Sequence, residues 1–204
     1  MFPAAAFLIA AAAPSAIAGL YQAHQIEVGA ALELGANGHF RYQLDYGAIS
    51  EEAAGDWTFD GKTVWLTSRP MPKLPSFELV RDDPAPKGEI AMTMEAPGFG
   101  EGFRIDAVAI DARTGEKGLV TTDEKGIVES GGRTLASLDP LVPVYGTIAG
   151  HFELSPDRGH HLVFRFHAND LGHAAFNKEP IALTSRGLVF TRYDTEIRFV
   201  RVRP

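Results

Sequence analysis

The octapeptide HFRYQLDY, residues 39–46, alternates apolar and polar positions without a break. Phe40, Tyr42, Leu44 and Tyr46 fall on one face of an extended chain, and His39, Arg41, Gln43 and Asp45 on the other. Successive side chains of a strand point to opposite faces, so a period of two predicts a half-buried antiparallel strand. Before it, Leu32 and Leu34 flank Glu33, and Asn37-Gly38 separates the two runs. Asn-Gly between alternating runs predicts a hairpin, because both residues tolerate positive φ. The pattern recurs: Trp57 and Phe59 alternate with Asp56, Thr58 and Asp60, and Asp60-Gly61 turns the chain into KTVWLTS, where Val64 and Leu66 face one way. A four-strand meander over roughly residues 26–68 follows. The polar stretch AISEEAA between Gly47 and Gly55 reads as a loop able to form one helical turn.

Residues 69–98 change character. The runs RPMPKLPSF and DDPAPKGE are rich in proline and charge and read as a crossing between two sub-structures, with a boundary near residues 80–90. Phe77, Leu79, Ile90, Met92 and Met94 mark short strands within it. The second half opens with FRIDAVAIDARTGEKGLVTTDEKGIVES, with turns at Thr114-Gly115 and Lys125-Gly126. It continues through LVPVYGTI, HFELS, HHLVFRFH, PIALTS, GLVFTRY and EIRFVRV. Short strands about 8–12 residues apart, punctuated by Gly, Pro and Asp, predict a sandwich or barrel. No stretch sustains a helical period. The fold class is all-β.

Residues 1–18, MFPAAAFLIAAAAPSAIA, read as an export signal. An Ala-rich apolar run is broken at Pro14, and Ala16-Ile17-Ala18 supplies the small-x-small pattern for cleavage before Gly19. No Lys or Arg precedes the run. A membrane span needs about 20 strongly apolar residues, so this run is expected to be removed rather than to anchor, leaving no span in a periplasmic or secreted protein. The chain of 204 residues carries a formal net charge of -7 and no basic cluster, which excludes a nucleic-acid footprint. Arg198, Arg201 and Arg203 read as edge protection on a strand. Without cysteine there is no disulfide scaffold, thiol nucleophile or lipid-attachment site.

Two resemblances rest on these runs. The stretch AALELGANGHFRYQLDYGAISEEAAGDWTFDGKTVWLTS resembles the β-meander of small lipocalin-like envelope proteins, carried by Phe40, Tyr42 and Gly55-Asp56-Trp57. In such modules the Gly-x-Trp element closes one end of a barrel, which implies a packed Trp57. The stretch AVAIDARTGEKGLVTTDEKGIVE is similar to transthyretin-like, carboxypeptidase-regulatory-type sandwiches, through Thr122, Asp123 and Gly126. That likeness implies that Asp123 bonds nearby backbone N–H groups and that Gly126 takes a left-handed conformation. The strand normally between the two turns is almost missing. FHANDLGHAAF and FTRYDTEIRFVR also resemble uncharacterised exported proteins of Gram-negative bacteria that combine both elements. The expected organisation is a signal peptide at 1–18, a lipocalin-like meander at 19–80 and a transthyretin-like sandwich at 90–180. One arrangement unites the halves: residues 181–204 return to complete the barrel, and the sandwich is an insertion.

Candidate sites are sparse. Five of the seven histidines lie between residues 151 and 173. On a strand HHLVFRFH, His161 and His167 share a face but sit about 20 Å apart at about 3.3 Å per residue, too far for one ion. A metal site would need residues such as His167, Asp170 and His173 from different elements, and no zinc or copper spacing is matched. There is no Gly-x-Ser-x-Gly, and Ser130 sits in a Gly-rich turn. The acidic pairs Glu51/Glu52, Asp82/Asp83 and Asp123/Glu124 read as solvated loop groups. Gly98, Gly100 and Gly102 lack the Lys-Ser/Thr ending of a phosphate loop and read as a flexible loop. Tyr42, Tyr46 and Trp65 are the candidate ligand-binding residues, Tyr42 and Tyr46 from a barrel interior and Trp65 from the face opposite Val64 and Leu66. No cofactor is expected. The expected function is non-enzymatic binding of a small apolar ligand or an envelope protein. The alternative is a hydrolase or metal-dependent envelope enzyme using the His151–His173 region.

Overall fold

The computed structural model describes residues 16–86, 88–95 and 104–203. Most of the signal reading, and the Gly98, Gly100 and Gly102 loop reading, fall outside the described residues. Among the described residues sixteen strands follow in chain order. The first five are β1 (Gly19–Gln25), β2 (Val28–Leu34), β3 (His39–Tyr46), β4 (Ile49–Phe59) and β5 (Thr63–Ser68). The next eight are β6 (Ser76–Pro84), β7 (Ala91–Met94), β8 (Asp106–Asp111), β9 (Lys117–Thr121), β10 (Leu135–Val142), β11 (Thr147–Ile148), β12 (Phe152–Glu153) and β13 (His160–His167). The last three are β14 (Asn177–Thr184), β15 (Gly187–Arg192) and β16 (Thr195–Arg201).

Eight of them close a barrel in the order β1-β16-β15-β14-β5-β4-β3-β2, each neighbour antiparallel. The order is that of a simple meander whose fifth and sixth barrel strands, β5 and β14, are far apart in sequence. The chain divides accordingly into two compact units, Met1–Lys73 with Gly172–Pro204, and Leu74–Leu171. The barrel tolerates the interruption because the two chain ends are stitched together. Ser68 is buried; its N–H donates to the Phe176 carbonyl (2.9 Å), and its hydroxyl donates to Ala174 O (2.7 Å) and accepts from Phe176 N (3.0 Å). The sequence placed the divisions near 80–90 and at 180; the ladder of β5 on β14 begins at Thr67↔Asn177 and sets the second one earlier.

The barrel interior follows from the alternation. Leu32, Leu34, Phe40, Tyr42, Leu44, Val64, Leu66, Ile181, Leu188, Phe190, Ile197 and Phe199 are all buried. Four aromatics fill its middle: Tyr42 meets Phe176 at 5.2 Å and Phe190 at 5.9 Å, Phe176 meets Phe190 at 5.8 Å and Phe40 at 6.1 Å between ring centres. Most of these contacts are edge-on, the arrangement favoured by the ring quadrupole. Trp57 is buried near the β2–β3 turn and its Nε1 donates to Gly35 O at 3.0 Å. Gly55 is required two residues before it, because a Cβ there would lie 2.1 Å from Thr67 O. Ile17 also joins this core, and Tyr21 Oη donates to its carbonyl at 2.6 Å.

Two segments differ from the sequence reading. AISEEAA is not a helical turn: Ile49 opens the longest strand, β4, and pairs with Tyr46 across a two-residue turn in which Gly47 takes φ +55°. LVPVYGTI is not one strand. β10 ends at Val142, and Pro143, which lacks an N–H, starts a 3₁₀ turn to Tyr145. Gly146, at φ +59°, then lets β11 fold back onto β10. Nor does the Arg198–Arg203 tail guard an open edge, because β16 is paired on both sides.

The second unit is a sandwich. One sheet runs β11-β10-β8-β9 with β12 also on β10, the other β6-β13-β7, in which β13 and β7 are parallel. Ile105, Ala107, Ala109, Val120 and Leu138 from the first sheet side pack with Met92, Leu162 and Phe164 from the second in one core. In its turn, Asp123 Oδ1 accepts from Lys125 N and Ile127 N, both at 2.8 Å, and Gly126 takes φ +82°.

Candidate functional site

Tyr42 lies in the barrel interior, where its hydroxyl donates to Glu51 Oε1 at 3.1 Å. Tyr46, half-buried, packs on the same core and its Oη accepts from Thr195 Oγ1 at 3.2 Å. Trp65 sits on the opposite face of its strand, half-buried, with Nε1 donating to Asp60 Oδ2 at 2.9 Å. The structure therefore brings Tyr42 and Tyr46 to one side and leaves Trp65 on the other.

The histidines are dispersed, each with its own partner. His151 Nδ1 donates to Asp139 Oδ1 (2.5 Å), His160 Nε2 to Ser155 O (2.8 Å), and His161 Nε2 lies 3.0 Å from Thr93 Oγ1. His167 Nε2 donates to Glu78 Oε2 (2.7 Å) and His173 Nε2 to Glu52 Oε1 (3.0 Å). Asp170 lies in the turn closed by Leu171 N on Ala168 O. Among the described residues no group of three or more His, Cys, Asp or Glu is placed to hold a metal ion.

Two polar constellations in the barrel unit were not assembled by sequence, which read Glu51 as a solvated loop group; it is a buried strand residue. The first is internal. Glu51, on the inward face of β4, is buried. Its Oε1 accepts from Arg192 Nε (2.9 Å) and Tyr42 Oη (3.1 Å), and its Oε2 from Arg192 Nη2 (2.7 Å) and Tyr193 Oη (2.7 Å). The guanidinium also lies 4.8 Å from the Tyr193 ring centre and 5.4 Å from that of Phe176. Burial opposes charge on Arg192, but the Glu51 hydrogen bonds and charge outweigh it and hold the guanidinium above its usual range. Burial first, and the adjacent carboxylate second, push the hydroxyls of Tyr42 and Tyr193 up as well. Each Glu51 oxygen accepts twice, so the carboxylate is fully committed within the cluster and leaves no acceptor there for a ligand.

The second constellation is external. His39 and Asp56 are cross-strand partners on the outer wall, and Asp56 bridges two side chains: Oδ1 accepts from His39 Nδ1 at 2.9 Å and Oδ2 from Arg69 Nε at 2.5 Å. The Arg69 hydrogen bond, the largest influence, holds the Asp56 carboxyl below the usual carboxylate range against desolvation, and the His39 hydrogen bond adds to it. These groups line a groove of about 550 Å³ together with Glu33, Arg41 and the small residues Gly35, Ala54 and Gly55. A second concavity of about 440 Å³ shares Glu33, Arg41 and Ala54 and extends over the wall to Glu52 and His173. In the groove Arg41 on β3 stands between Glu33 on β2 and the small Ala54 on β4. Its volume is that of a small-molecule site. The signal that could have found it is the turn: Tyr46↔Ile49 across Gly47-Ala48 forces His39 opposite Asp56.

No family model, curated protein or solved structure matches this chain.

Proposed function

We propose that this chain is an exported, non-enzymatic binding module whose ligand lies on the outer wall of the barrel, over Arg41, Asp56 and Arg69. The supporting observation is a contrast. The barrel interior is occupied by Phe40, Tyr42, Phe176 and Phe190, so a small apolar ligand would have to displace packed rings. The wall carries a concavity in which Asp56 already holds His39 and Arg69, which lowers the ordering cost of binding. The lipocalin-like and transthyretin-like resemblances suit binding and name no ligand. The test is a fragment screen by ¹H–¹⁵N correlation spectra. Shifts concentrated at residues 33–41 and 54–56 are expected; shifts concentrated at Tyr42, Phe176 and Phe190 overturn the reading.

Export belongs to the same proposal, resting on Ala16-Ile17-Ala18. Cleavage before Gly19 would remove Ile17, a core residue whose carbonyl holds Tyr21, so N-terminal sequencing of soluble periplasmic protein tests the cleavage and a urea melt of the same material tests whether the barrel closes without it.

One observation favours the hydrolase alternative. Asp139 is buried and takes His151 Nδ1, the orientation of a general base, while Ser137, buried two residues away, has no partner for its hydroxyl. His151 and Ser137 make no hydrogen bond, which leaves this reading behind the first. Loss of turnover of a chromogenic ester in both His151→Ala and Ser137→Ala would reverse the order.

A further inference from the structure

The geometry points to an oxyanion, a carboxylate or phosphate group, as the chemical feature that the wall groove recognises, held between the guanidinium groups of Arg41 and Arg69 beside His39. This inference rests on the groove being the binding site and names what it takes.

The N–H donors of the groove outnumber the acceptors that hold them. Asp56 is spent: one oxygen holds His39 and the other Arg69. Arg69 gives only its Nε to that contact, so its Nη fork is the part left to meet a ligand. Arg41 has an even weaker tie. Its nearest carboxylate, Glu33, stands 3.9 Å from Nη1, outside hydrogen-bond range. His39 commits Nδ1 to Asp56, and its Nε2 is an acceptor in the neutral ring and a donor only in the protonated one, so it is not counted among the donors. The surplus is therefore in N–H groups, with Glu33 the one acidic side chain of the groove not already committed by a hydrogen bond. Planar forks of N–H donors match the two oxygens of a carboxylate or phosphate, and such charge-assisted bonds are stronger than neutral ones. A neutral polyol would satisfy fewer of them. A cation would meet two guanidinium groups.

The device is also pre-set. Asp56 fixes Arg69 and His39 from one point, and Asp56 is itself held by β4, whose pairing to β3 places His39 directly opposite. Arg41 sits two residues along β3 on the same outward face. Two guanidinium groups thus line one groove, Arg41 from β3 and Arg69 from the residue that follows β5, with Asp56 of β4 holding the second.

The test is a titration of the ¹⁵N-labelled protein with four probes: succinate, inorganic phosphate, phosphatidylglycerol vesicles and, as the neutral control, sorbitol. Saturable shifts at His39, Arg41 and the Arg69 Nε resonance with an oxyanion probe, and none with sorbitol, are expected. Succinate, phosphate or vesicles as the responding arm tells whether a free carboxylate, a free phosphate or a lipid headgroup is the source. Arg41→Gln removes no hydrogen bond of the fold and should weaken the responding probe about tenfold or more, with the rest of the spectrum unchanged. If fragments bind the groove but no oxyanion does, or if Arg41→Gln leaves the affinity unchanged, this inference fails and the binding-module reading stands. If nothing binds the groove, both fail.

Discussion

The barrel holds two clusters built from the same chemistry, one inside and one outside. Inside, Glu51 holds Arg192 and two tyrosine hydroxyls; outside, Asp56 holds Arg69 and His39. Contact lengths are alike, 2.7 Å for Arg192–Glu51 and 2.5 Å for Arg69–Asp56. Burial separates them. The Glu51 side chain is 2% exposed and that of Arg192 26%, against 41% for Asp56 and 69% for Arg69. A buried pair has given up its hydration and must be complete, so removing one member strands the other. An exposed pair is screened by water and contributes little to stability. It can instead hold a side chain in place for something else to meet. The same ion pair is a fold element in one location and a recognition element in the other.

The largest effect should come from breaking the inner cluster. Glu51→Ala leaves the Arg192 guanidinium and the hydroxyls of Tyr42 and Tyr193 without their acceptor. It should cost about 3–5 kcal/mol in a urea melt. Trp57→Ala, at the other pole of the interior, should cost a similar amount of about 3–5 kcal/mol through loss of a packed ring, and Trp65→Ala much less. Equal losses for Trp57 and Trp65 would mean that the faces of β4 and β5 are misassigned.

Next comes alkali. Tyr42 and Tyr193 keep their protons in the folded barrel above the range of a free phenol, because of burial and then Glu51. Their folded pKa values are raised, so the stability they contribute is fully present below about pH 10, where unfolded tyrosine titrates, and is lost as pH rises beyond it. Burial raises Tyr21 as well, so three of the five tyrosines should resist ionisation, read at 295 nm, until the barrel opens. A smooth titration of all of them near pH 10 in a folded protein would contradict the closed inner cluster.

The contrast also explains what could be read from sequence. Strand β3 was legible because every second residue is apolar and faces a core. So was the burial of Trp57, through its Gly-x-Trp setting. The first turns of β4 were not. Glu51 occupies an inward position, and an acidic residue there breaks the alternation that identifies a strand. Its justification is Arg192, 141 residues later in the chain. Strand β10 was hidden likewise, since Ser137 and Asp139 are polar yet buried. The outer groove was invisible for a different reason. His39, Asp56 and Arg69 are ordinary exposed residues, and only the strand register makes them neighbours. Local alternation carries the fold, whereas both clusters depend on pairing over distance.

A smaller effect follows for the outer cluster. Arg69→Gln should move the urea midpoint far less than Glu51→Ala, since both partners of the lost contact remain hydrated. A loss comparable with that of Glu51→Ala would erase the distinction between the two clusters.

The smallest effect is the most specific one. In the folded chain the Asp56 carboxyl is held below the usual carboxylate range, first by the Arg69 hydrogen bond and also by His39. A lowered carboxyl pKa contributes stability that is present above the unfolded value of about 3.9 and disappears as pH falls through the folded one, so the window lies below about pH 4. Above that window no change with pH is expected from this group. The carboxyl carbon of Asp56, followed by ¹³C NMR, should titrate below the range of exposed aspartates, and Arg69→Gln should shift its midpoint upward while His39 retains part of the depression. An unchanged midpoint in Arg69→Gln would mean that Arg69 is not fixed by Asp56 in solution. The donor that the groove presents would then be a mobile surface arginine, and the wall would no longer differ from any other charged face of the barrel.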